Sequence, residues 1–332
     1  MAALLERTQI GKREHLADMI ARVDAHDTVV SSTAKKGSRP GNTLLQWQGD
    51  AYDAPAITGS VDGVDLTSSD YNNPGANRAI ISNYIQVFQK AFRVSPLALE
   101  VSNVAGLKDE LSAGVAKTIV EIKRSIEKSI LSANDAQADD GTDAYLTKGL
   151  ATWISTAGGS VLQVPAAFRT PTASIETTAT TSDITDATVQ NVLKSIYSET
   201  GSIKNYLCPM GVGLKRAFTD KLAGTRSVTD ASNNIAATQV RTFSPVNGKK
   251  MTLSLDVFEG DFGTCTLSPS NWMPSVNDGY VLDMSGIELC YSSLPEVKDL
   301  PDAGGGPVKL VRAVAGLIVH NPLAHGKFDL GS

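Results

Sequence analysis

Metal-binding and redox residues are scarce in this chain. The four histidines, His15, His26, His320 and His325, fall in no HExxH or equivalent spacing, and the last two flank Asn321-Pro322, so they share no regular helix face. The three cysteines, Cys208, Cys265 and Cys290, are far apart and form no CxxC pair. A metal centre and a disulfide framework are both excluded, and a reducing compartment is expected. The thiols read as small buried hydrophobes.

Excess positive charge is also missing. Thirty Lys and Arg face 35 Asp and Glu, a net charge of -5. A dedicated nucleic-acid binder needs a basic face, so that class is excluded, although one local patch remains free to make a weak contact. No run approaches the about 18 apolar residues of a membrane span. The longest apolar stretch, Ala313–Val319, suits a buried strand. Met1–Thr8 lacks the charged start and apolar run of a signal peptide, which leads to an expectation of cytosolic synthesis.

Catalytic signatures are absent as well. There is no GxxxxGK[ST] phosphate loop and no GxSxG elbow. Gly211-Val-Gly213 lacks the third glycine and the acidic residue of a dinucleotide site. Asp135, Asp139, Asp140 and Asp143 around Gly141 miss the calcium-loop spacing and its closing glutamate, so they read as a solvated loop. Catalytic, cofactor and metal sites are therefore all assigned none. A hydrolase using an unrecognised serine stays as a competing class, one that requires a deep polar pocket with a coupled base.

The strongest positive feature runs from Val104 to Ala133. Leu107, Leu111, Val115, Ile119, Ile122, Ile126 and Ile130 recur every three or four residues, the period of one helix face. Lys108, Asp109, Glu110, Lys117, Glu121, Lys123, Arg124, Glu127 and Lys128 fill the other faces. One long single-sided helix is predicted, with its whole charged set facing solvent.

Residues 1–41 read as an arm, with a short helix over Lys12–Val23 and a basic linker carrying Lys35, Lys36 and Arg39. Thr43–Tyr52 alternates like a strand with Leu45, Trp47 and Gly49 on one side. Ala79–Val94 reads as one further strand, with Ile81, Asn83, Ile85 and Val87 on one face and Ile80, Tyr84, Phe88 and Phe92 mostly on the other. Between them lies a polar tip bearing Asp53, Asp62, Asp65 and Asp70, with Arg78 as its one basic residue. Together these make an extended hairpin that cannot hold itself together alone and must lie on something, most simply a neighbouring subunit. Trp153 and Trp272 read as core anchors. Trp47 stands in the thin hairpin with little core nearby, so core and subunit interface are both open to it.

The Thr/Ser/Ala-rich stretch 170–183 is a candidate domain boundary. A second helix is predicted over Asp186–Thr200, capped by Asp183 or Thr185, with Val189, Val192, Leu193 and Ile196 inward. Tyr206–Cys208 reads as a buried strand and Leu214–Leu222 as a helix. Strand patterns follow at Val240–Phe243, Met251–Phe258, Thr264–Leu267, Gly279–Met284 and Val308–Val319, with Asn247-Gly248 as a hairpin turn.

This order, together with particular stretches, resembles the major capsid proteins of tailed bacteriophages with the Hong Kong 97-type fold, in the branch of phage SU-ten. The stretches are Ile10-Gly-Lys-Arg-Glu-His-Leu-Ala-Asp, Asn42-Thr-Leu-Leu-Gln-Trp-Gln-Gly-Asp-Ala-Tyr-Asp-Ala-Pro, Glu100-Val-Ser-Asn-Val-Ala-Gly and Asp135-Ala-Gln-Ala-Asp-Asp-Gly-Thr-Asp. The resemblance implies an α+β capsid fold with an N-arm (1–41), an extended E-loop (42–94), a peripheral domain (95–184) with a spine helix over about 104–133, an axial domain (185–300) and a return to the peripheral domain (301–332).

The function implied is a non-enzymatic shell subunit of the virion, assembled in the host bacterial cytoplasm into pentamers and hexamers. The partners implied are other copies of itself, a separate scaffolding protein, a portal, a decoration protein and packaged double-stranded DNA held by non-specific contact, with no cofactor and no membrane. The expected assembly-interface residues are Trp47, Tyr52, Asp53, Asp62 and Asp65 on the hairpin and Lys35, Lys36 and Arg39 on the linker. An encapsulin-like cellular shell protein shares the fold, and a tail-tube or decoration protein would be β-dominated without the long helix.

Overall fold

The computed structural model describes residues 28–330 apart from 56, 58, 68–70, 72, 74, 101–108, 178–179, 182–183 and 223–255. In chain order the elements are α1 (Val29–Thr33), β1 (Lys35–Lys36), β2 (Leu44–Asp50), β3 (Arg78–Tyr84), β4 (Gln86–Arg93), α2 (Pro96–Glu100), α3 (Glu110–Leu131), α4 (Leu150–Trp153), β5 (Ile175–Glu176), α5 (Asp186–Thr200), β6 (Lys204–Met210), α6 (Val212–Leu222), β7 (Val257–Gly260), β8 (Gly263–Pro269), β9 (Asp278–Val281), β10 (Ile287–Leu300), β11 (Val308–Val319) and β12 (Gly326–Asp329). The helix expected over Lys12–Val23, the strand expected over Val240–Phe243 and the Asn247-Gly248 turn lie outside the described residues.

The apolar period produces α3, but the helix starts later than 104. Asp109 is its cap and not part of it: the carboxylate accepts from the backbone N–H of Leu111 and Ser112, satisfying orphan donors of the first turn. Residues 104–108 lie outside the described set. Ile122, Ile126, Ile130 and Leu131 are almost fully enclosed, each contributing roughly 1.5–3 kcal/mol by burial. Leu111, Val115 and Ile119 are only half-buried and line an open groove with Lys309.

Two sheets share the core-building. A four-stranded sheet runs β1-β10-β11-β4, and a six-stranded sheet runs β5-β12-β9-β6-β8-β7. The first packs on α3 through Val311, Ala313, Ala315, Leu317 and Phe88, with Trp153 in the same core. The second packs on α5 and α6 through Val189, Val192, Leu193, Ile196, Leu214 and Phe218. α5 has the expected bounds. Thr185 and Thr188 form a reciprocal capping box at its start, and Gly201 ends it with φ +64°, a left-handed turn suited to glycine.

The predicted single strand 79–94 divides. Among the described residues β3 pairs only with β2, and β4 pairs with β11 in the four-stranded sheet. Ile85 sits between them, packed with Leu45 and Val314, and its N–H bonds Thr43 O. Inward-facing parity therefore passes from Ile81, Asn83 and Ile85 to Phe88, and Val87 turns outward. An alternation reading assumes one continuous pleat, and changing sheets breaks it.

The domain boundary at 300 also moves. β10 pairs with β11 from Ile287↔Val319 to Leu300↔Val308, so residues 287–300 belong to the first core and not with 185–286. β12 pairs with β9 and β5, so 326–329 complete the six-stranded sheet instead of returning to the first core. The pairing of strands distant in sequence decides both points, and no local pattern carries it.

Candidate assembly surfaces

The hairpin is real and its base is bolted down. β2 and β3 run antiparallel from Leu44↔Tyr84 to Asp50↔Arg78. At the base, the buried Asn83 side chain donates to Thr147 Oγ1 (3.0 Å) and Leu317 O (2.7 Å) and accepts from the N–H of Lys148 (2.9 Å). A buried amide with its bonds filled fixes orientation, whereas an unfilled one would be costly. Gly49 leaves room for Phe168, whose ring would lie 2.8 Å from a Cβ there.

Trp47 does have core beside it. It is half-buried, its ring centroid 5.7 Å from that of the fully enclosed Trp153 and 6.3 Å from that of His320. The expectation that little core lies near it fails because β2 leans on the first core before the hairpin departs.

Beyond Asp50 the hairpin carries much exposed apolar surface. Tyr52 and Ile57 are fully exposed, and Val61, Val64, Leu66 and Tyr71 are largely so. Asp53, Asp62 and Asp65 lie among them, all exposed, with Asp53 accepting from Asn77 Nδ2 at 2.6 Å. Exposed apolar clusters of this kind mark interaction surfaces.

The basic linker is partly a strand. Lys35 and Lys36 form β1, parallel to β10 at Glu288 and Leu289, and Lys35 Nζ donates to Ser285 O at 2.7 Å. Gly37 continues the contact, with its N–H on Leu289 O at 3.1 Å, and has no space for a side chain because Cys290 Sγ is against it. Arg39 reaches the rim of an open groove of about 570 Å³ bounded by Tyr291–Glu296 and Arg312, where register shifts open β10. Among the described residues no ion pair joins Asp53, Asp62 or Asp65 to Lys35, Lys36 or Arg39 within the chain.

Three placements escaped the sequence reading. Glu127, expected in solvent, is fully buried and caps α1 through the N–H groups of Val30 and Ser31. Lys148 is buried, donating to Gly158 O and Leu162 O, with Asp135 at 3.8 Å and the Trp153 ring 4.9 Å away. Burial pushes its ammonium pKa down, and Asp135 opposes that. Burial alone would raise the Asp135 carboxyl, but the N–H groups of Val161 and Ser160 and the Ser160 hydroxyl hold it below the usual range. Asp135 is thus a structural acceptor within the supposed solvated loop. The charge-and-spacing pattern gave no sign of Glu127 or Lys148, since both partners come from segments far along the chain or in irregular loops.

The polar chemistry near the histidines is structural. His325 is enclosed, with Nδ1 accepting from the Asp283 N–H, and His320 faces Glu288 at 3.2 Å. Among the described residues no serine or cysteine side chain bonds a histidine.

With this geometry in place, comparison with known proteins is informative. The sequence profile of the SU10 major capsid protein family matches residues 5–330. No curated protein matches. Among solved structures, the capsid asymmetric unit of cyanophage A-1(L) aligns with a TM-score of 0.65 at 10% identity, covering 97% of this chain and 98% of the other. The capsid of the native GTA particle aligns with a TM-score of 0.61 at 13% identity, covering 97% and 96%. The capsid of cyanophage P-SCSP1u aligns with a TM-score of 0.58 at 9% identity, covering 99% and 97%. At these identities the likeness establishes the fold, which is the mixed helix-and-sheet capsid fold of the Hong Kong 97 type.

Proposed function

The chain belongs to the SU10 major capsid protein family, and from that membership we propose how its parts build a phage head. The observation that carries the reading is the family match over residues 5–330. As a major capsid protein it is a component of the virion shell. Many copies close into rings of five and six, and many weak contacts sum to a stable particle.

The hairpin 42–84, with its exposed acidic and apolar tip, acts as the E-loop that lies over a neighbouring subunit. Residues 28–41 act as the inner end of the N-arm. The core of α3 and the four-stranded sheet forms the peripheral domain, and the six-stranded sheet with α5 and α6 forms the axial domain. Tyr52, Asp53, Asp62 and Asp65 contribute the tip contact, and Lys35, Lys36 and Arg39 offer it opposite charge, which favours register more than affinity. Trp47 supports the hairpin from beneath. The chain works by assembly without turnover, in the host bacterial cytoplasm, with a separate scaffolding protein, a portal and a decoration protein as partners and packaged double-stranded DNA inside.

Negative-stain electron microscopy of the purified chain, alone and with a candidate scaffold, tests the reading. Rings of five and six or closed particles are expected in at least one condition. A monodisperse small species in both would overturn it.

A further inference from the structure

One edge of β10 is covered for only part of its length. β1 lies beside it at Glu288 and Leu289, and the Gly37 N–H reaches Leu289 O at 3.1 Å. From Tyr291 onward, among the described residues, no strand adjoins that edge. On the other edge the pairing with β11 slips twice, between Tyr291 and Ser293 and between Ser293 and Glu296, and Ser292, Leu294 and Pro295 have no partner in register. Bulges bend a strand and re-aim its side chains, and proline offers no N–H to a neighbour. Such an edge turns away a further flat strand and presents a shaped wall instead. That wall bounds the open groove of about 570 Å³.

The groove holds two arginines. Arg39 is exposed and Arg312 half-buried, and among the described residues neither side chain forms an ion pair or a hydrogen bond. The Arg312 Nε is buried with no acceptor. Glu296 also lines the groove, but Lys298 Nζ holds it at 2.9 Å. That bond is the main reason its carboxyl lies below the usual range, and the Arg312 charge adds the smallest share. Arg39, Arg312 and Lys298 against Glu296 leave this wall a surplus of positive charge. Leu294 stands beside them, 61% exposed.

The apex of the hairpin carries the complementary set. The Val64 N–H meets Val61 O at 3.4 Å and Gly63 has φ +78°, so 61–64 form a tight turn. Val61, Val64 and Leu66 are largely exposed, with Asp62 and Asp65 exposed between them. Among the described residues neither aspartate side chain has an ion pair or a hydrogen bond. We propose that this turn of one copy seats in the bulged groove of β10 on a neighbouring copy, with Asp62 and Asp65 meeting Arg39 and Arg312, and Val64 and Leu66 covering Leu294. The proposal rests on the E-loop reading above and gives that loop its receptor. Exposed ion pairs are individually weak, so they select the turn and fix its register, while the apolar cover adds the area. Every copy gives one turn and receives one, a head-to-tail contact that closes a ring.

Disulfide trapping tests this. The native thiols Cys208, Cys265 and Cys290 are buried, so Val64→Cys with Leu294→Cys supplies the accessible pair, and both positions are exposed enough to leave folding intact. The full chain, alone and with a candidate scaffold, is oxidised with copper phenanthroline, and the same samples are scored for rings and shells by electron microscopy. A ladder of chain multiples is expected on a non-reducing gel. Val64→Cys with Ile203→Cys, whose second thiol is exposed just before β6, is expected to give none. Adding Arg39→Gln and Arg312→Gln is expected to slow trapping about tenfold, the scale of two exposed ion pairs. Arg39→Lys with Arg312→Lys, which keeps both charges, should trap at close to the parental rate.

Rings or shells without a ladder, a bond closed within one chain, an equal ladder from the Ile203→Cys control, or a rate unmoved by loss of both arginines would each overturn the assignment while leaving the shell reading in place. Neither rings nor shells in either condition would overturn the shell reading, and this contact with it.

Discussion

The Glu127 carboxylate, in the middle of the longest helix, receives the backbone N–H of Val30 at 2.8 Å and that of Ser31 at 2.7 Å. A side chain nearly one hundred residues downstream thus supplies the N-terminal cap that Thr28 does not give to α1. Glu127 is fully buried, so its desolvation is offset by two charge-assisted bonds to the positive end of a short helix. Replacing Glu127 with Ala leaves both donors orphaned and is expected to cost about 2–3 kcal/mol, with Gln intermediate. The change should appear as faster hydrogen exchange and proteolysis over 28–37 while α3 stays protected. Equal protection in Glu127→Ala would show the cap to be dispensable.

The apolar stripe of α3 is not uniform along its length. Ile126 is 2% exposed inside the first core, whereas Ile119 only packs against the edge of it. Ile126→Ala is expected to lose about 2–5 kcal/mol and Ile119→Ala distinctly less, since its neighbours already touch solvent. Ile119→Asp, which places a charge at this edge, should lower the thermal midpoint less than Ile126→Asp, which buries the charge outright. Denaturant titration of the four variants measures the ranking, and equal losses at 119 and 126 would contradict the burial difference.

Local pattern carried much of this architecture, and long-range pairing carried the rest. The period of α3, the cap and inward residues of α5, the alternation of β2 and the apolar run of β11 could all be read because each depends on neighbours a few residues away. The split at Ile85 could not, because β3 and β4 join different partners, β2 and β11. Glu127 looked like any solvated glutamate, since the donors it accepts from belong to residues 30 and 31. The same applies to Lys148, held by two carbonyls of an irregular loop. Among the interface candidates, composition located the acidic tip and the basic linker, but it could not reveal that Lys35 and Lys36 are sheet residues or that Trp47 leans on Trp153.

Removal of the hairpin tip separates folding from assembly. The described residues of 56–76 contribute no side chain to either large core, and the hairpin is closed below them by the Asp50–Arg78 ion pair at 3.0 Å. A chain with 56–76 replaced by a short Gly-Ser turn is expected to unfold at nearly the parental temperature and to form no closed shells. Calorimetry and electron microscopy of one preparation give both readouts. Normal shells from the deletion would sink the E-loop assignment, and a collapsed thermal midpoint would mean the tip supports the fold itself.

The enclosed imidazole of His325 predicts a sensitivity to mild acid. Burial pushes its pKa down to about 4 from an ordinary value of 6.5, with Asp283 opposing and Lys204 adding to the fall. The unfolded chain takes up a proton below pH 6.5, whereas the native chain refuses it until about pH 4. Stability from this group is therefore complete above pH 6.5 and declines as pH falls from there towards 4, by up to about 3 kcal/mol. The lowered carboxyls of Asp135 and Asp283 begin to lose stability only as pH falls into the ordinary carboxylate range, so the upper part of the window belongs to the histidine. Asp278, raised mainly by burial, works in the opposite sense near the lower end. His325→Phe removes the titration and strands the Asp283 N–H that Nδ1 accepts. The variant should be less stable than the parent at pH 7.5 by about 1–3 kcal/mol, yet lose less between pH 6.5 and 5. Thermal midpoints across that range decide it: a parental midpoint that stays flat, or a His325→Phe curve parallel to it, would place the acid response elsewhere.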